Sequence, residues 1–134
     1  MLEYDVSAFR IDAHGALART KDAEIVLDTD LAGRIDAFNP AELFLAAFAA
    51  CVIKGVERAA PMLHFQFRDL HVRVHGSRRD SPPGFESITY EILIATEETD
   101  HRLELLHVNI RKYGTIYNTV ASTVPLSGTI RRSP

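Results

Sequence analysis

Apolar and polar residues alternate loosely through the first thirty positions. Tyr4, Val6 and Ala8 interleave with Asp5, Ser7 and Phe9, a period of two that predicts a strand over 2–11. His14-Gly15 and Lys21-Asp22 read as turns, so 16–20 and 24–29 become the second and third strands of an antiparallel meander. Residues 30–38, with Gly33 among them, read as a loop.

The pattern changes at Asn39. Asn39 suits an N-cap, Pro40 suits the first helical position, and Glu42 completes a capping box three residues on. The run from Leu43 to Ile53 carries apolar residues on every face of a helix, and such a helix has to be covered all round. Ala46, Ala47, Ala49 and Ala50 would let other backbones come close. The expected helix continues to about Ala60 and stops at Pro61. One subunit's sheet covers one side of a helix and leaves the other open, so a homodimer is expected.

Beyond the helix, 65–75 reads as a strand with Leu70, Val72 and Val74 on one face and His71, Arg73 and His75 on the other. Residues 78–84 form a predicted turn. Residues 85–96 follow as a strand with Ile88, Tyr90, Ile92 and Ile94 on one face. Asp100 is the expected cap of a helix over 101–113, with Leu103, Leu106 and Ile110 at helical spacing. Gly114 breaks it, 115–122 reads as a short helix, and 124–132 as a last strand. The order β-β-β-α-β-β-α-α-β brings strands in runs, which favours α+β over a doubly wound sheet. The expected organisation is one domain over 1–134.

Composition adds exclusions. The net charge of −3 and the scattered basic residues offer no nucleic-acid face; Arg78-Arg79 and Arg131-Arg132 are pairs, not patches. The longest apolar run is too short for a bilayer, which takes about 20 residues. Residues 1–10 carry Glu3 and Asp5 with no apolar run, so no leader is expected. Cys51 is the one cysteine, which rules out an intramolecular disulfide and suits a reducing cytoplasm.

Candidate chemistry is sparse. Cys51 lies on the apolar helix with Lys54 at i+3, and a nearby ammonium raises the thiolate fraction. A free cysteine in such a helix equally reads as a small hydrophobe. His71 and His75 would stand about 13 Å apart on a strand, too far to share a metal. His14, His64, His101 and His107 read as solvent-facing. Tyr113 and Tyr117 flank Gly114 and could meet a ligand or simply pack.

The stretch Asn39-Pro40-Ala41-Glu42-Leu43-Phe44-Leu45-Ala46-Ala47-Phe48-Ala49-Ala50-Cys51 resembles the OsmC/Ohr family of peroxide-detoxifying proteins. That family's pattern is Asn-Pro, Glu, Leu, then small apolar residues ending in Ala-Ala-Cys. Lys112-Tyr113-Gly114-Thr115-Ile116-Tyr117 is similar to its Lys-Tyr-Cys-Pro-Val-Ser segment. The order of elements agrees over nearly the whole chain. The resemblance implies an α+β homodimer, intertwined, with antiparallel sheets around a long buried central helix and sites at the subunit interface. It makes Cys51 the peroxidatic cysteine, oxidised by a hydroperoxide to a sulfenic acid. It assigns the resolving cysteine to position 114, which here is Gly114. The family's catalytic Glu follows Asn-Pro directly, at Ala41 here. Glu42 is turned by about 100° from that direction. The family's Arg belongs in the turn 12–15, which has none.

Three readings follow. In the first, Cys51 reduces organic hydroperoxides, an external thiol resolves it, and Lys54, Arg10, Arg19 or His14 supplies positive charge. In the second, the dimer has lost that chemistry and binds a small lipophilic ligand at the interface, in a pocket drawn from Ala41, Phe48, Tyr113, Gly114 and Tyr117. In the third, the protein is stress-linked and structural. None calls for a cofactor or a metal.

Overall fold

Local sequence signals set where the elements begin and end. The computed structural model describes all residues 1–134. Its elements are β1 (Ser7–Asp12), β2 (Gly15–Thr20), β3 (Ala23–Asp28), α1 (Pro40–Leu63), β4 (Asp69–Asp80), β5 (Pro83–Ala95), α2 (Asp100–Tyr113), α3 (Thr115–Ala121) and β6 (Leu126–Arg132). This is the expected α+β order. The chain divides into two units, 1–44 and 45–134. No helix is long and apolar enough to cross a membrane.

In the first unit β1, β2 and β3 form an antiparallel sheet in that order. Phe9, Leu17 and Val26 stand abreast, as do Ala8, Ala18 and Ile25 on the opposite face. The first strand starts at Ser7, not at residue 2. Ser7 already faces Arg19, and β2 ends at Thr20, where Lys21 turns the chain with a positive φ. Residues before Ser7 therefore have no ladder partner, although Thr20 Oγ1 donates to the carbonyl of Asp5 at 2.8 Å. The loop to α1 is tied by carboxylates. Buried Asp28 accepts from the backbone N–H groups of Asp30 and Arg34 at 3.0 and 2.9 Å. Arg34 in turn forks onto Asp36 at 2.8 and 3.0 Å. The Ala32 N–H, followed by His14, holds the Asp30 carboxyl below its usual range.

The capping box of α1 forms as the sequence requires. Glu42 N–H donates to Asn39 Oδ1 at 2.8 Å, and Asn39 N–H donates to Glu42 Oε1 at 3.0 Å. The helix does not stop at Pro61, which lies inside its last turn. The missing N–H costs one bond, that to the Glu57 carbonyl, on an exposed side of the helix. The end comes at His64, with φ of 52°. His64 N–H bonds to Pro61 O at 3.3 Å and Phe65 N–H to Ala60 O at 2.8 Å. That is the Schellman pattern, with a histidine where glycine is usual. Within one chain α1 is buried along a single stripe, Phe48, Val52, Val56 and Ala59, rather than all round. Phe44 and Ile53 remain 42% and 39% exposed.

The second unit contains a sheet in the order β4-β5-β6. The β4–β5 hairpin runs through the segment predicted as a turn, pairing Arg79 with Gly84 and Asp80 with Pro83. The turn itself shrinks to Ser81-Pro82. Antiparallel sheets are expected throughout, but β6 runs parallel to β5. The reason is the connection: α2 and α3 form a crossover long enough to return the chain to the same end of the sheet. Ile88, Ile92 and Ile94 on the inner face of β5 are closed to solvent. They share one core with Phe48, Val52, Val56, Leu106, Ile110 and Val120. Thr99, not Asp100, caps α2, its hydroxyl accepting from Arg102 N–H at 3.3 Å. Arg102 then donates to the carbonyls of Leu63 and His64 and pairs with Glu98, which ties α2 to the end of α1.

Candidate functional site

Cys51 sits midway along α1, one helical turn past buried Phe48, and is half-buried. Its sulfur faces the junction of α2 and α3. A Cβ built on Gly114 would stand 3.2 Å from Cys51 Sγ. Across a disulfide, a Cβ lies about 3 Å from the far sulfur. The fold therefore brings position 114, assigned by the resemblance to a second thiol, to bonding range of Cys51. The same Cβ would meet Tyr117 Cβ at 2.9 Å and Ile110 O at 3.2 Å, so glycine fits here with nothing to spare.

The two tyrosines beside Gly114 go separate ways. Tyr113 is 52% exposed. Tyr117 turns inward, its ring centroid 5.7 Å from that of Phe48. Tyr117 also belongs to a buried polar network that the sequence reading does not anticipate. Tyr90 Oη is 2.6 Å from His107 Nε2 and 3.4 Å from Tyr117 Oη. His107, expected in solvent, is 3% exposed. The signal was present: His107 falls on the stripe Leu103, Leu106, Ile110. Burial, followed by the charge of Arg111, holds His107 below the usual imidazole range. Burial and the bond with Tyr117 raise the Tyr90 phenol. One consistent arrangement has Tyr117 donating to Tyr90 and Tyr90 donating to the neutral imidazole. Gly128 makes this possible, because the Tyr90 ring occupies the space a Cβ on Gly128 would take.

Of the candidate site residues, the second unit gathers Cys51, Phe48, Gly114 and Tyr117, with Tyr113 next in sequence. Lys54 lies one turn along α1 from Cys51, exposed. Ala41, Arg10 and Arg19 belong to the first unit. Arg10 is exposed on β1. Arg19 pairs with Glu24, and its guanidinium lies 4.9 Å from the Phe9 ring centroid. His14 in the β1–β2 turn bonds Asp30 at 2.7 Å. The chemistry available at Cys51 is that of a half-buried thiol facing the junction of α2 and α3.

Residues 32–127 match the family model described as OsmC-like protein. No curated protein matches the sequence. Among solved structures, the chain is similar to an OsmC like protein from Mycoplasma pneumoniae, with TM-score 0.89, 20% identity and 99% of each chain covered. It is also similar to an organic hydroperoxide resistance protein OsmC from Legionella pneumophila, with TM-score 0.71, 20% identity and 97% and 98% of the two chains covered. The organic hydroperoxide resistance protein OhrB of Bacillus subtilis superposes with TM-score 0.64 at 17% identity, with the same shares of the chains covered. Identities this low speak to fold alone.

Proposed function

Because this chain belongs to the OsmC/Ohr family, we propose that it is a stress protein that reduces organic hydroperoxides through Cys51, with an external thiol closing the cycle. The observation that carries the reading is the approach of Cys51 Sγ to position 114. Two of the neighbours of like fold are organic hydroperoxide resistance proteins. The thiolate of Cys51 attacks the distal peroxide oxygen, the O–O bond breaks, and the alkoxide leaves with a proton as an alcohol. Cys51 becomes a sulfenic acid. With Gly114 in place of a second cysteine, that oxidised state has no partner within its own chain. Within the second unit Lys54, one turn along α1 from Cys51, is the candidate source of positive charge.

A homodimer is part of the reading. Support comes from the apolar side chains each unit leaves open, among them Tyr4, Val6 and Ile11 in the first and Ile53 and Met62 in the second. Such a dimer supplies the remaining cover that the apolar run of α1 requires.

The test is intact mass after brief, stoichiometric tert-butyl hydroperoxide in the presence of dimedone. A dimedone adduct within seconds, absent in Cys51→Ser, is the expected outcome. No adduct on the folded protein would sink the peroxidase reading and leave a lipophilic ligand, bound along Phe48, Tyr113 and Tyr117, as the function to pursue.

A further inference from the structure

Over much of the second unit, guanidinium groups find carboxylates. Arg68 pairs with Glu97, Arg102 with Glu98 and Arg111 with Glu104. Beside Cys51 this pattern breaks. Lys54, Arg58 and Lys112 are exposed, and no carboxylate pairs with any of them. Two of them converge on one ring: Arg58 Cζ lies 5.9 Å and Lys112 Nζ 5.3 Å from the centroid of Tyr113. Each is attracted to the ring, but the two cations repel one another, and an anion held by both relieves that repulsion.

The cluster adjoins the thiol. Tyr113 immediately precedes Gly114, where a Cβ would stand 3.2 Å from Cys51 Sγ. Cys51, Lys54, Gly55 and Arg58 follow at i, i+3, i+4 and i+7 along one stripe of α1. Gly55 keeps that stripe low between sulfur and guanidinium: a Cβ there would already lie 3.4 Å from Ile110 and 3.5 Å from an Arg58 nitrogen.

We propose that Arg58, Lys112 and Tyr113, with Lys54 at the near edge, dock the external reductant, a small thiol carrying carboxylate or phosphate, and present its sulfur to Cys51. This rests on the peroxidase reading for its place in the cycle. The incoming sulfur attacks the Cys51 sulfenic sulfur, and an S–S bond forms as the S–O bond breaks. The departing oxygen leaves as water with the thiol's proton. A second thiol attacks the docked sulfur, giving a free disulfide and restoring the Cys51 thiol. Two unpaired cations that both lie within 6 Å of one ring suit a small anion.

Docking can be read without peroxide. The reduced protein is mixed with 3,3′-dithiodipropionate, bis(2-hydroxyethyl) disulfide or cystamine, which are anionic, neutral and cationic. Mixed-disulfide formation at Cys51 is followed by intact mass, and each rate is divided by that of N-acetylcysteine amide with the same disulfide. The expected order is anionic over neutral over cationic. The anionic preference should be about tenfold and fall to near parity in Arg58→Ala/Lys112→Ala and at high salt, as exposed charge contacts do. The anionic-to-neutral ratio is taken within each protein, so a change in overall thiol reactivity cancels, and far-UV circular dichroism checks that the double variant is folded. Equal normalised rates for the three disulfides, or a preference untouched by the double substitution, would overturn the proposal. The dimedone result reports on the peroxide step separately, so either idea can fail alone.

Discussion

In sheet β4–β6 the inward positions of β5 are Ile88, Tyr90, Ile92 and Ile94, all within 4% of complete burial. In sheet β1–β3 the buried side chains are Ala16, Ala18 and Asp28, while Phe9, Ile11 and Val26 stay open. Both sheets have three strands, and both carry apolar residues at alternate positions. The difference is cover. Two helices and the Phe48 stripe of α1 share a core with the second sheet, so its alternation becomes burial. The first sheet has the pattern without an equivalent load of buried side chains. An alternating strand is thus a request for a packing surface, and the sequence of a single chain does not say who answers it.

The contrast can be broken most sharply by truncation. Ile92→Ala should cost about 4 kcal/mol, because it opens a cavity in a closed core. Val26→Ala should cost under about 1 kcal/mol in a dilute monomer, since little burial is lost. Urea unfolding of both variants checks the pair. A larger Val26 cost that grows with protein concentration would show that a second copy covers the first sheet.

Gly128→Ala comes next, at about 2 kcal/mol, because the new methyl must displace the Tyr90 ring in a packed interior. Its imidazole resonance for His107 should move toward that of a free histidine by NMR, which separates loss of the network from general loosening. Asn39→Ala should cost about 1 kcal/mol by removing one half of the capping box. Circular dichroism with thermal unfolding would read it, and a cost near zero would mean that the start of α1 is held by other contacts.

The smallest effect is a pH slope. His107 in the folded state takes a proton less readily than in the unfolded chain. The unfolded state therefore binds more protons as pH falls through the ordinary imidazole range, near 6.5, and stability falls with it. At pH 8 the contribution is absent. Comparing urea midpoints at pH 8 and pH 5.5 should show a smaller difference in His107→Gln than in the native protein. An unchanged difference would assign the slope to other groups.

Much of this was legible locally. The capping box, the inner face of β5, the stripe of α2 and the break at Gly114 are periodic or punctuating signals, and each lies where the sequence places it. The failures have a common source in contacts distant along the chain. The continuation past Pro61 depends on His64 accepting a left-handed conformation so that Phe65 can reach the core. The Pro- and Gly-containing segment from Arg78 to Gly84 extends as paired strands because its two halves meet in register. The parallel pairing of β6 depends on where a crossover delivers the chain. At His107 residue type argues for solvent, whereas its spacing on the α2 stripe places it inward. At the candidate site the motif around Cys51 and the one around Gly114 are far apart in sequence, and the fold joins them. Of the cations flanking Tyr113, Lys112 belongs to the quoted segment but Arg58 to no motif, and the two converge only when α1 and α2 pack.

The parallel pairing of β6 also has a temporal side. During synthesis β4 and β5 leave the ribosome as neighbours and can zip at once, but Gly128 arrives only after α2 and α3 have been made. Until then the ring of Tyr90 has no strand to lie across, and its hydroxyl has no fixed approach to His107. The nascent protein therefore passes through a stage in which its main hairpin exists with one edge bare. Sealing that edge has to wait until the crossover helices have been made.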